Sequence, residues 1–121
     1  MTTHIIPLSW GTPPLTANQR KHWREKAALT RAVRTEVATR ARAQKLPTGL
    51  ERVTVRLHYV PAQNRRRDPS NLMPTQKAAV DGLVDHGLVP DDCPPYVTEE
   101  MPRVHPADRS VALRMWLEVA A

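Results

Sequence analysis

Arg52-Val53-Thr54-Val55-Arg56-Leu57-His58-Tyr59-Val60 decides the fold. Val53, Val55, Leu57 and Tyr59 fall on one side of an extended chain; Thr54, Arg56 and His58 fall on the other. Strict alternation of this kind marks a strand with one buried face. The strand delivers the chain to Pro61 and then to Asn64-Arg65-Arg66-Arg67-Asp68-Pro69-Ser70-Asn71-Leu72.

Beyond that run the period changes. Leu72, Ala79, Val80, Leu83 and Val84 recur at helical spacing, which predicts a helix over 70–86. Pro74 is tolerated in a first helical turn, and Gly87 suits a left-handed stop. On the N-terminal side, residues 17–45 hold no Gly or Pro and read as one long helix, with Thr16 or Asn18 as its cap. Trp23, Ala27, Thr30, Val33 and Val37 mark its narrow inward stripe, and Arg and Lys crowd the remaining surface. His4–Trp10 is a strand candidate, placed at a sheet edge because Pro7 lacks a backbone donor. Tyr96–Val104 is a weak strand broken by Pro102; Ser110–Ala120 is a strong one, alternating through Val111, Leu113, Met115, Leu117 and Val119. The order strand, helix, strand, helix, strand, strand predicts a single α+β domain over residues 1–121. Its sheet is mixed and four-stranded, with both helices against it. Helical crossovers imply parallel pairing, and the last two strands are expected to form a hairpin.

Charge is unevenly placed. Residues 1–67 carry fourteen Lys and Arg against three acids, a net +11; residues 68–121 carry four against nine, a net −5. The two halves give the chain its +6. A basic surface beside an acidic segment suits a polyanion ligand handled at an acidic site. Cys93 is the only cysteine, which excludes an internal disulfide and any Cys-x-x-Cys zinc pair. No apolar run reaches transmembrane length and no signal-type segment opens the chain, so a cytosolic protein is expected.

The stretch from Asn64 to Cys93 holds the chemistry. Three adjacent arginines abut Asp68, and a second acidic pair, Asp91-Asp92, follows the predicted helix. Cations that hold a phosphodiester and carboxylates that hold a metal ion have this composition. Each residue also has a plainer reading. Asp68 caps the second helix with Pro69 at its first position; Ser70 and Asn71 are turn residues or weak oxygen ligands. Lys77, Asp81 and Asp85 share one helical stripe, and Lys77–Asp81 is an ordinary surface ion pair or part of the site. Asp91 and Asp92 are turn residues, or return to the 64–70 loop as Mg²⁺ ligands. A zinc centre from His86, Cys93 and His105 matches no standard spacing.

Taken in order, these residues resemble the RusA family of Holliday-junction resolvases over most of the chain. Pro13-Pro14 followed by Asn18 and Trp23 resembles that family's Pro-Pro…Asn opening. Arg65-Arg66-Arg67-Asp68-Pro69-Ser70-Asn71-Leu72 resembles its Arg-rich Asp-x-Asp-Asn-Leu signature. Lys77-Ala78-Ala79-Val80-Asp81-Gly82-Leu83, Gly87 and Asp91-Asp92 resemble its continuation. The resemblance implies a homodimeric, Mg²⁺-dependent, structure-selective endodeoxyribonuclease that cuts four-way DNA junctions in recombination and repair. Many such enzymes are carried by phages and prophages, which implies the cytoplasm of a bacterial cell or a phage-infected host. Carried over by position, Asp68, Lys77 and Asp92 are the catalytic residues. Asp68, Asp92, Asp91 and Ser70 form the metal set. Asn18, Arg20, Lys21, Arg24, Arg65, Arg66, Arg67 and Asn71 face DNA. Two positions depart from the family. Its second acid falls on Ser70, which weakens metal binding, moves the ligand role to Asp91, or leaves a DNA-binding protein with little or no cleavage. Lys77 stands seven residues beyond Ser70 where the family pattern has four, nearly one extra helical turn, so the same face is kept.

Overall fold

The computed structural model describes residues 2–121. Strand β1 (Thr3–Leu8) leads through a long connection to helix α1 (Trp23–Ala43), then to β2 (Val53–Tyr59). A 3₁₀ turn (Pro69–Leu72) runs into helix α2 (Met73–His86); β3 (Val97–Glu99), β4 (Arg103–Val104) and β5 (Met115–Ala120) follow. The domain is α+β, two helices against a mixed sheet, as the alternation of periods predicts.

The sheet has five strands rather than four, in the order β1-β5-β2-β3, with β4 also on β2. The expected third strand is present in two pieces. Val53–Val55 pairs with β3, and His58–Tyr59 pairs with β4. The break leaves the Leu57 amide without a strand partner, and the buried Gln76 of α2 fills the gap. Its Oε1 accepts from Leu57 N at 2.8 Å, while its Nε2 donates to Glu100 O at 2.8 Å and to Glu99 Oε1 at 3.2 Å.

The expected hairpin of the last two strands does not form. β4 lies on one side of β2 and β5 on the other, antiparallel to both β2 and β1. β1 and β2 do run in the same direction, as a helical crossover requires, but β5 is inserted between them. The 105–114 segment wraps the end of β2 instead of reversing tightly. Asp108 N donates to Pro61 O at 2.9 Å and Val60 N to Arg114 O at 2.7 Å. Arg114 also donates to the Val60 and Asp108 carbonyls. That use of Arg114 explains why β5 starts at Met115 and not at Ser110. β1 takes the edge position that Pro7 calls for.

The core lies between the sheet and the helices, with Ile6, Leu57, Leu83, Met115 and Leu117 fully buried. Such burial is worth about 1.5–3 kcal/mol for each large side chain. From α1, Val33, Val37 and Ala41 reach it. Trp23 does not: it is 67% exposed, contrary to the inward stripe expected of it. Nor do Thr16 or Asn18 cap α1; His22 does, its Nδ1 accepting from Arg24 N at 3.1 Å. The helix starts late because the preceding loop is fastened elsewhere. The buried Thr75 hydroxyl donates to Leu15 O at 2.6 Å and accepts from Leu15 N at 3.2 Å; Ala17 N donates to Asn71 O at 3.0 Å. α2 behaves as read, with Pro74 in its first turn and Gly87 at φ 92°.

The face of the sheet away from the helices carries a ring stack. His58 lies parallel to Trp116 with centroids 5.1 Å apart, and its nitrogens meet His105 Nε2 at 2.9 Å and Glu118 Oε1 at 2.7 Å. Burial, then the neighbouring His58 and Arg103, hold the His105 pKa below its ordinary value. The folded state therefore binds this proton less well than the unfolded chain. Its contribution to stability is intact at neutral pH and declines as pH falls through the ordinary histidine range toward the lowered folded value. We expect the urea midpoint to drop between pH 7.5 and 5, and His105→Gln to remove part of that drop. An unchanged pH dependence in the variant would place the titration elsewhere.

Candidate nucleic-acid interface

β1 and β2 run in the same direction, and each ends in a connection that leads to a helix. Their two loops enclose a hollow of about 200 Å³. Pro13, Thr16 and Asn18 line it from the first loop; Arg66, Arg67, Asp68 and Asn71 line it from the second. Tyr59, at the end of β2, lines it too, and the Arg67 guanidinium carbon sits 5.7 Å from the Tyr59 ring centroid. Neither Arg66 nor Arg67 makes an ion pair among the described residues, and Arg67 Nε is buried with no hydrogen-bond partner. A larger hollow on the other side of Arg67 is bordered by Gly11, Gln63 and Arg65; there Arg65 donates to Gln63 Oε1. Unpaired guanidinium groups in adjoining concavities are suited to an extended polyanion.

Asp68 stands among these cations as an exposed carboxylate. Its Oδ1 accepts from Ser70 N at 3.0 Å and from Ser70 Oγ at 2.8 Å. The two bonds from Ser70, with a smaller contribution from Arg66, hold its pKa below the usual carboxylate range, so it is ionised at neutral pH. Asp68 does cap, though it caps the 3₁₀ turn and not α2, whose N-terminus follows Leu72 without a side-chain cap; its Oδ2 accepts no protein hydrogen bond among the described residues.

No protein-family model and no curated protein matches the chain.

Lys77 belongs to a second hollow, which touches the first at Thr16 and is lined also by Lys26, Thr30 and Asp81. Lys77 Nζ is bonded to the Asp92 carboxylate and lies 3.8 Å from Asp81. The Asp92 bond is the main reason the Lys77 pKa is raised and the Asp92 pKa lowered. Asp91 Oδ1 accepts from Asp92 N and fixes that turn. Burial pushes the Asp81 carboxyl up against the opposing pull of Lys77 and Arg34. Asp85, one turn further along the same stripe of α2, forms a two-bond pair with Arg34 at 2.8 and 3.0 Å.

The residues expected to act together therefore fall into two groups. Asp68, Ser70, Asn71, Asn18, Arg66 and Arg67 form one; Lys77, Asp91 and Asp92 form the other. No three His, Cys, Asp or Glu side chains gather as a metal cage among the described residues. The zinc set is dispersed: His86 bonds Leu46 O, His105 bonds His58, and Cys93 is exposed. Mg²⁺ does not require a cage, because it keeps several waters and uses one or two carboxylates together with substrate phosphates. The donors at Asp68 fit that demand. They are an ionised carboxylate with a free oxygen, a serine hydroxyl with free lone pairs, and the amide of Asn71, all beside cations for a phosphate.

Of the remaining DNA-facing candidates, Arg20 and Arg24 are exposed and form no ion pair among the described residues, while Lys21 is engaged by Glu25 at 3.2 Å. Sequence reasoning missed Thr75 and Gln76, which place the two loops and close the sheet. Their signal was present: Gln76 interrupts the apolar stripe between Leu72 and Ala79-Val80. No described helix is long and apolar enough to cross a membrane.

Proposed function

We propose that the protein is a Mg²⁺-dependent endonuclease acting on branched DNA, of the kind the RusA resemblance implies, in the cytoplasm of a bacterial cell or phage-infected host. The observation that carries the reading is the ionised Asp68 carboxylate in one hollow with the unpaired Arg66 and Arg67. Arg66 and Arg67 hold the DNA backbone, with Arg65 continuing the track. Asn71 and Asn18 supply neutral polar contacts beside it. Asp68, with Ser70, would hold the ion. Bound there, Mg²⁺ would supply positive charge for the scissile phosphate and order a water for attack. Lys77, kept charged by Asp92, contributes a second cation to the neighbouring hollow. A homodimer would present two such sites to the arms of a junction.

A second reading is favoured by Ser70 itself. Its hydroxyl donates to Asp68, so where the family has an acid this chain has a group that satisfies the cap. That arrangement suits a junction-binding protein with weak cleavage. Ser70→Asp separates the two readings. The new carboxylate would face Asp68 without a proton between them, so the variant should melt lower without Mg²⁺ and recover with it. Nicking should then reach its maximum at lower Mg²⁺ than in the wild type, because affinity for a hard cation rises with ligand charge. If melting and nicking curves both ignore the substitution, no metal sits at Asp68–Ser70.

A further inference from the structure

Trp23 is the most exposed large apolar side chain of the described residues, at 67%. The spacing that pairs it with Val33 and Val37 gives it no contact with the core, so its ring is not there to stabilise the fold. Its surroundings are cationic. Arg20, Lys21, Arg24 and Lys26 surround it in sequence. The Arg24 guanidinium carbon lies 5.2 Å from the ring centroid, and the His22 ring lies 5.6 Å away at an interplanar angle of 30°. His22 is itself fixed as the cap of α1, so the backbone under Trp23 is set by the helix start. Of these cations only Lys21 has an acidic partner among the described residues.

A flat, wet ring among unpaired cations recognises a ligand with its own π-face and a negative charge close by. A nucleotide has both; base-on-aromatic stacking tolerates any base, and neighbouring cations hold the phosphates. A paired base inside a duplex hides its faces, so the match is to an unpaired one. An anionic membrane would also attract the cations, but insertion needs several apolar side chains, and Trp23 is followed by Arg24, Glu25, Lys26 and alanines. In the chain Trp23 comes five residues after Asn18, which lines the hollow of Arg66 and Arg67. We propose that Trp23 is a stacking platform for an unpaired base of bound DNA. The inference rests on the DNA-binding reading and adds to it a residue that senses unpaired structure.

The test uses the full chain and two labelled oligomers of equal length and charge, one of thymidine and one abasic. The wild type should bind the thymidine oligomer about tenfold more tightly, in the range expected of stacking. Trp23→Ala should bring the two affinities together while leaving abasic binding, its salt dependence and the urea midpoint unchanged. Trp23→Phe should keep most of the preference. Equal wild-type affinities, or a preference that survives Trp23→Ala, would overturn the platform while leaving DNA binding intact. Failure of the wild type to bind either oligomer, while it still binds a four-way junction, would overturn the platform alone; failure to bind the junction as well would overturn both. Trp23-dependent binding to phosphatidylglycerol vesicles, with no effect of the variant on DNA, would assign the ring to a membrane and overturn the proposal.

Discussion

Asp68→Asn is expected to reduce junction cleavage by more than about a hundredfold while binding is retained or tightened. Even groups that only support a metal ligand are worth roughly ten- to a hundredfold, and Asp68 is the ionised carboxylate beside Arg66 and Arg67. Asn keeps the shape and can accept the same bonds from Ser70 N and Oγ, and it caps as well as Asp does. Folding should therefore survive, and the variant's melting curve checks that it does. Removing the negative charge also relieves repulsion toward phosphate, which accounts for the tighter binding. If Asp68→Asn cleaves at the wild-type rate, Asp68 is a cap and nothing more.

Gly82→Ala should be the most damaging small change in the scaffold. A Cβ at position 82 would lie 2.6 Å from the Arg34 carbonyl oxygen and 2.8 Å from Val37 Cβ, so α1 and α2 touch through the missing side chain. Alanine would ordinarily favour a helix over glycine by about 1 kcal/mol. Here the clash is with backbone and a fully buried valine, and overpacking of that kind costs about 1–3 kcal/mol. We expect a net loss of about 1 kcal/mol and a melting temperature lower by roughly 4 °C. A variant as stable as the wild type would mean that the helices are not this close.

The local pattern carried most of the architecture. Alternation at Val53–Tyr59 and the helical period up to Gly87 were legible because each is a short-range consequence of one buried face. Strand order was not, because insertion of β5 between β1 and β2 is a long-range pairing. Alternation at Val111 and Leu113 also misled, since Arg114 spends its guanidinium on loop carbonyls and holds that segment out of the sheet. Trp23 misled for a related reason: helical spacing says which residues share a stripe, not where the stripe leaves the core. In the site, Arg66, Arg67, Asp68 and Asn71 are neighbours in sequence and stay together in space. Asn18 joins them only because Thr75 and Asn71 bind the loop before α1, a contact between residues far apart in the chain. The bond between Asp92 and Lys77 of α2 is a contact of the same kind, joining residues that are not neighbours in the chain.

The central claim is that these groups cut branched DNA with the help of a divalent ion. The measurement closest to it is nicking of a synthetic four-way junction by the purified full chain, with Mg²⁺ and with EDTA, beside a linear duplex of the same length. The account predicts paired nicks near the branch point with Mg²⁺, none with EDTA, and little cutting of the duplex. Tight junction binding with no Mg²⁺-dependent nicks would contradict it.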